Sequence, residues 1–554
     1  MMRVVICARG KSTVKTIKQL ALQLLIFSLL SLFFIAISPK KINSIGLFRK
    51  QGIQKKVFPI EVLPKQFQAE ANLLYGITYD HLIKDSSYLS FNNFTSFSDN
   101  YSNDTLSVFC FRGNASRNSP SRGRVFAKPT EIVEDWKFVT NYDTSKTIYG
   151  VWGGGSGWTG QPLIINWNQE QKEKLHITDQ EFLNDPTALE VIIGSLCGDI
   201  YFLNSETGTA TRNPLSIHNT IKGTVSVDPR KNGLLYVGQG IPHTGKMGAY
   251  VFDMFDEKEI YHIPGIDNFA KIGWGAFDSN PLIDANSGTI FWPSENGLIY
   301  KFTIDSNKIV HPPLKFKYTH DNLFRHGIES SMAAKGKYGF VSDNSGTVMC
   351  IDLESMKPIW NIDNLDDSDA SIVFETEEKN HWSIYIGNEV DKRAPKSEAS
   401  FKKINAVNGS EIWKVSRECY GTELHGKTNS GGILSTPVLG KHQGKNIVYT
   451  IFSRVDEKNR AELIAVNKKT GKELFSIFLD KYSWSSPVDF YDAEGNIYLF
   501  FTDLIGNLYI IDGVTGETLV KKKTNNLIEA SPVIINDRII IASRGKSILS
   551  YIIK

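Results

Sequence analysis

The chain has 554 residues, 41% hydrophobic and 22% charged, the proportions of a globular protein with a large core. Its near balance of 62 Lys and Arg against 59 Asp and Glu hides an asymmetry: eleven bases and no acid precede residue 61, leaving 51 bases against 59 acids beyond it. An acidic body excludes nucleic acid as the main partner, because such binding relies on neutralising phosphates.

The basic tail (1–19) leads into "LALQLLIFSLLSLFFIAIS" (20–38). At about 1.5 Å per residue, this apolar run spans a hydrocarbon core of roughly 30 Å as one helix. It is read as an uncleaved signal-anchor; the alternative is signal cleavage and secretion. Ala36 and Ser38 offer a small-residue site, but Pro39 follows it and the run is long for a cleaved signal. Lys11, Lys15 and Lys18 on one flank face Lys40, Lys41, Arg49 and Lys50 on the other, so flanking charge does not set the orientation. A lone N-terminal span acts as an export signal, which places the body on the extracytoplasmic side, periplasmic or extracellular. Residues 39–130 are expected to be a membrane-proximal linker, partly disordered; "DSSYLSFNNFTSFSDNYSNDT" (85–105) is rich in Ser, Asn and Asp.

Repeats begin near residue 131 and define the last expected domain, 131–554. One half of the repeat is an apolar strand and a tight turn closing on Gly, as in "GDIYFLNSETG" (198–208), "SGTVMCIDLESMKPIW" (345–360), "AELIAVNKKTGKELF" (461–475) and "GNLYIIDGVTGETLV" (506–520). The other half is a short polar step before an apolar strand, with a polar third residue: Gln161, Ser226, Asn280, Ser331, Ser371, Thr436, Ser486 and Ser531. Eight steps, about 40–65 residues apart, fit an all-β, eight-bladed β-propeller of four-stranded antiparallel blades behind one transmembrane helix. The last blade lacks an outer strand, and "EDWKFVT" (134–140) is the expected donor that leaves no open edge.

These units resemble the repeats of the quinoprotein (pyrroloquinoline quinone, PQQ-type) β-propeller superfamily, with the consensus G-x-x-Y-A-L-D-x-x-T-G-x-x-x-W. Gly506, Tyr509, Asp512, Thr515 and Gly516 match it, and Trp360 and Trp413 hold the terminal position in other repeats. "FRGN" (111–114), with Arg117 and Gly123, resembles the first segment of such proteins. The resemblance covers roughly 110–554 and implies the fold; its members include dehydrogenases, assembly scaffolds and sensors. The arrangement, a membrane-tethered eight-bladed propeller, resembles the BamB-like non-enzymatic branch, but the tether and the long linker differ. That branch is held by a lipid on a Cys after its signal peptide, and no Cys follows the apolar run here until Cys110.

The dehydrogenases of this superfamily hold PQQ and Ca²⁺ over the central funnel and cover the quinone with a disulfide of adjacent cysteines. This chain has five cysteines (Cys7, Cys110, Cys197, Cys350, Cys419), none adjacent, and no C-x-x-C-H. A partial acidic ring remains at the first position of the polar step: Asp278, Glu329, Asp369 and Glu529, with Trp158, Trp274, His326 and Trp484 nearby. These are the candidate funnel residues, able to hold a cation or the basic part of a partner; the other reading is that the carboxylates cap turns. No catalytic residue or resident metal is assigned. "GTELHGKT" (421–428) fits a phosphate-loop pattern, but it leads into an apolar strand rather than a helix. The expected function is a non-catalytic scaffold for membrane or envelope proteins, without a cofactor; the alternative is a PQQ- and calcium-dependent dehydrogenase.

Overall fold

The structure, a computed structural model, describes residues 77–83, 93–98, 101–102 and 104–554, apart from 157, 159, 321–326, 379–380, 392–393 and 425–426. These belong to the compact unit Leu63–Lys554. The apolar run 20–38 lies outside the described residues, among which no helix is long and apolar enough to cross a membrane.

Antiparallel strands follow one another up and down, and nearly every sheet is built from consecutive segments. In chain order the main sheets occupy 163–216, 226–264, 282–320, 333–363, 373–420 and 438–479, the last with Glu389–Val390 and Gly431–Gly432. In the sheet that follows, Arg122–Arg124 pairs parallel with Val488–Tyr491 and Val533–Asn536 and so joins 488–523 to 533–553. Burial falls from the inner strands outward. In the sheet containing the 506–520 repeat, Ile497–Thr502 is buried throughout and Asn507–Asp512 nearly so, while the outer Thr518–Lys523 is largely exposed. Inner strands are packed on both faces by neighbouring sheets and read as unbroken apolar runs; outer strands show the alternation of a half-solvated sheet, as in Glu473–Leu479.

The final sheet closes as expected. Ile132–Val139 pairs antiparallel with Ser547–Ile553, supplying the outer strand from the start of the domain. Trp136 on that strand donates its indole N–H to Ser205 O (3.0 Å) in the first sheet. The ring lies over Gly208, where a Cβ would sit 2.5 Å from it. Trp360 and Trp413 do the same against Ala406 O and Lys468 O of the sheets that follow them. The turn glycine therefore serves both the positive φ of the turn (+70° at Gly208) and the approach of a neighbour's tryptophan.

Part of the stretch expected to be an exposed linker is core. Phe94, Phe97, Tyr101, Phe109 and Cys110 are buried. The Phe94 ring meets Phe291 edge-on at 4.8 Å, and Tyr101 Oη accepts from Ile283 N (3.1 Å). Composition misleads here because a few aromatics suffice to anchor an otherwise polar segment. Upstream, Ile77–Ile83 adds a fifth strand to the 282–320 sheet through Val310–His320. The phosphate-loop match forms a hairpin, Thr422–Leu424 with Lys427–Asn429, so no helix N-terminus meets an anion there.

Candidate functional site

The polar steps lie where each sheet's innermost strand begins, and their third residues link neighbouring sheets. Asn280 N donates to Ser331 Oγ, Ser331 N to Ser371 Oγ and Ser371 N to Thr436 Oγ1 (2.9–3.0 Å). Thr436 N donates to Ser486 Oγ, Ser486 N to Ser531 Oγ (3.0 and 3.1 Å), and Ser531 N closes onto Gly160 O. Each small hydroxyl satisfies a buried backbone N–H that its own sheet leaves unpaired.

One assignment is corrected. Gln161 N donates to Thr224 Oγ1 (2.7 Å), so Thr224 rather than Ser226 holds the third position in the 226–264 sheet. Ser226 Oγ instead accepts from Asn280 Nδ2 (2.7 Å). Side-chain facing repeats every two residues, so a two-residue slip leaves the in-and-out pattern unchanged and cannot be seen in sequence. The shift brings Lys222 to the first position.

First-position side chains surround a cavity of about 50 Å³, lined by Lys222, Asp278, Glu329, Asp369 and Trp484, with Trp158 and Phe111 beside them. Five of the candidates, Trp158, Asp278, Glu329, Asp369 and Trp484, thus meet at one place. Trp274 joins through Glu295, donating its indole N–H to Oε2 (2.7 Å). Glu529 turns aside to Arg544 (3.2 Å), whose guanidinium lies over Trp158 (4.8 Å) and Trp152 (5.6 Å). His326 lies outside the described residues.

Lys222 and Glu295 are not evident from sequence. Lys222 pairs with Asp278 Oδ2. Carboxyl oxygens of Asp278, Glu295 and Glu329 lie within 4.8 Å of one another, a set of hard donors. Burial, then the Glu329 and Asp278 charges, hold the Glu295 carboxyl well above the usual range. Burial also raises Asp278, against the pull of Lys222. Among the described residues, no group other than the clustered carboxyls themselves reaches Asp278 Oδ1 or Glu295 Oε1, while Asn344 Nδ2 donates to Glu329 Oε1 (2.7 Å). A lysine two residues before the Thr224 step is the signal for Lys222; nothing in "SENG" (294–297) marks Glu295.

Phe111 belongs to the "FRGN" segment, which fills the axis behind the cavity. Arg112, fully buried, donates to Pro487 O (2.7 Å) and Pro437 O (2.8 Å). Arg117, also fully buried, donates to Met332 O, Phe111 O, Asn280 O and Asn280 Oδ1 (2.8–3.0 Å). Gln161 Oε1 takes Arg112 N (2.9 Å), and Asn280 Oδ1 takes Phe111 N (3.1 Å). The two amides among the third-position residues are therefore the anchors of the inserted segment.

A PQQ group does not fit this arrangement. Ligand pockets run to roughly 300–1,000 Å³. The cavity here is far smaller, and Lys222 already lies against one carboxylate of the only oxygen cluster that touches it among the described residues. Cys110, Cys197, Cys350 and Cys419 are free thiols.

No protein-family model matches the chain, and no curated protein matches it in sequence. Solved structures match it in fold. A quinohemoprotein alcohol dehydrogenase from Pseudomonas putida HK5 aligns over 85% of this chain and 82% of its own, with TM-score 0.50 and 8% identity. BamB from Moraxella catarrhalis aligns over 70% of this chain and 98% of its own, with TM-score 0.42 and 14% identity. The first likeness shows the fold alone, a β-propeller, and leaves superfamily and activity open.

Proposed function

We propose that this chain is a non-catalytic, eight-bladed propeller, tethered by segment 20–38 with its body on the extracytoplasmic side, that binds envelope or membrane proteins at its funnel face. The observation that carries the reading is the filled axis. The inserted segment occupies one end and Lys222 sits among the carboxylates at the other, leaving about 50 Å³. A rigid ring whose centre is plugged by its own side chains is suited to presenting loops rather than enclosing a cofactor.

The second reading, a PQQ- and calcium-dependent dehydrogenase, draws on the three clustered carboxyls as hard donors and requires the cavity to open, since PQQ does not fit it as it stands. The two separate on addition of PQQ and Ca²⁺ to the purified protein. The binding-platform reading expects no thermal shift and no dye-linked oxidation of alcohols or sugars. Oxidation that requires both additions would replace it with the enzyme. Intact mass of the membrane-extracted protein reads the tether: segment 20–38 is retained in an anchored protein and lost in a secreted one.

A further inference from the structure

Two segments distant in the chain meet beside the first sheet. Tyr142–Asp143 pairs antiparallel with Gly153–Gly154, closing a hairpin that carries Ser145. His243 lies in the loop joining Leu234–Gly238 to Gly248–Asp253. Asn219, fully buried, holds that loop on both sides of the imidazole: its Oδ1 accepts from His243 N (2.7 Å) and Gly245 N (3.0 Å). Against this fixed ring, Ser145 Oγ lies 2.6 Å from His243 Nε2, and His243 Nδ1 lies 3.3 Å from Asp143 Oδ2. Asp143 Oδ1 accepts from Ser145 N (2.8 Å), which ties carboxylate and hydroxyl into one turn. A carboxylate only accepts, so Nδ1 carries the ring hydrogen and Nε2 presents its lone pair to the Ser145 hydroxyl. The hydroxyl also reaches Asp143 Oδ1, but a carboxylate is the weaker base, so the imidazole is the group that removes its proton. Hydrogen bonds from Ser145 hold the Asp143 carboxyl below the usual carboxylate range, so it keeps the charge that orients the ring.

The geometry points to Ser145 as a nucleophile that captures a short acyl group, with His243 as its base and Asp143 positioning the imidazole. The site goes beyond the binding-platform reading and does not rest on it. A hydroxyl on Nε2 with Nδ1 on a carboxylate is the arrangement that activates serine for acyl transfer. The bond from Ser145 Oγ to the acyl carbon forms as the C–O or C–S bond of an activated ester or thioester breaks. The hydroxyl proton passes to Nε2 and then to the departing oxygen or sulfur. The three residues share a recess with Trp152, Leu196 and Cys197. At about 10 Å³ it takes one water-sized group, which selects the methyl of an acetyl. Burial pushes the Cys197 thiol up, so it stays protonated and does not compete. Ser145 N is spent on Asp143 Oδ1 and Thr147 N on Gly150 O, so the flanking N–H groups do not pair as oxyanion donors. An activated donor reacts without that help, whereas the ordinary ester it leaves on Ser145 persists. Capture is therefore a single event rather than turnover.

The test incubates the full-length protein in detergent with p-nitrophenyl acetate, S-acetyl-N-acetylcysteamine or p-nitrophenyl hexanoate, and reads intact mass and peptide maps. Acetylation of Ser145 is expected from both acetyl donors, with hexanoyl transfer slower by about tenfold or more. His243→Gly is expected to slow the labelling roughly a hundredfold, with added imidazole restoring part of the rate. Asp143→Asn is expected to slow it about tenfold and Asp143→Glu to recover most of the loss. An unchanged urea midpoint certifies each variant as folded. No label on Ser145, label confined to Cys197 or to lysines, equal labelling in His243→Gly, or hexanoyl transfer as fast as acetyl transfer would each overturn the assignment. Continuous nitrophenolate release that Ser145→Ala abolishes would overturn single capture, and the non-catalytic reading with it.

Discussion

The two ends of the propeller axis bury cations in opposite ways. At the inserted segment, Arg112 and Arg117 lie fully buried against carbonyl and amide oxygens, and burial, outweighing the charge of Asp489, pulls Arg112 down to about 9. Around the cavity, the ammonium of Lys222 pairs with Asp278, one of three clustered carboxyls. The first end has more acceptors satisfied than charge to spare and acts as a rivet. The second sets one ammonium beside clustered acids, of which Glu295 is held well above the usual carboxyl range by burial and by its neighbours' charges.

Arg117→Ala should cost most, because it strips hydrogen bonds from Met332 O, Phe111 O and Asn280 O at once. At about 1–3 kcal/mol for each stranded acceptor, a loss of about 3–9 kcal/mol is expected from urea unfolding. A loss below about 1 kcal/mol would show that the segment is not a rivet. Lys222→Met should cost about 3 kcal/mol by leaving Asp278 without its counter-ion, and Lys222→Met with Asp278→Asn should recover most of it. If the double variant is no better than the single one, the pair is not coupled as described.

Ser371→Ala removes one link between sheets and leaves Ser331 N without its acceptor. A loss of about 1–2 kcal/mol is expected from urea unfolding, and an unchanged midpoint would show that this link does not hold neighbouring sheets together.

The smallest effect is a slope. Glu295 holds its proton above the pH, near 4.3, at which an unfolded glutamate loses it. Between that pH and the raised folded value, the folded state binds more protons than the unfolded, so stability falls as pH rises. Glu295→Gln should flatten this part of the urea-midpoint profile against pH, and identical wild-type and variant profiles would contradict the assignment.

Several features are legible in the amino-acid sequence. The repeat, the polar step and the donor strand near residue 134 are local patterns with a local cause: two-residue alternation, a turn glycine and an edge that must be covered. The acids Asp278, Glu329 and Asp369 stand out for the same reason, since a repeat fixes which way equivalent positions face. Less visible is the register at Thr224, where a slip of two preserves every facing and hides Lys222. Glu295 lies outside the step altogether and reaches the cluster only because Trp274 and a neighbouring strand bring it there.

Sequence by itself determined the strands and the polarity of the inner steps, because each depends on residues a few positions apart; it also marked the closure of the last sheet, as an outer strand missing at one end and spare at the other. The tertiary structure decided what fills the axis. Arg112 is 375 residues from the Pro487 carbonyl it holds, and Lys222 is joined to Asp278 across two sheets. Such contacts carry no periodic mark in the chain; they exist because ring closure brings the first residue of every step to a common centre, where charges from distant repeats must be balanced together.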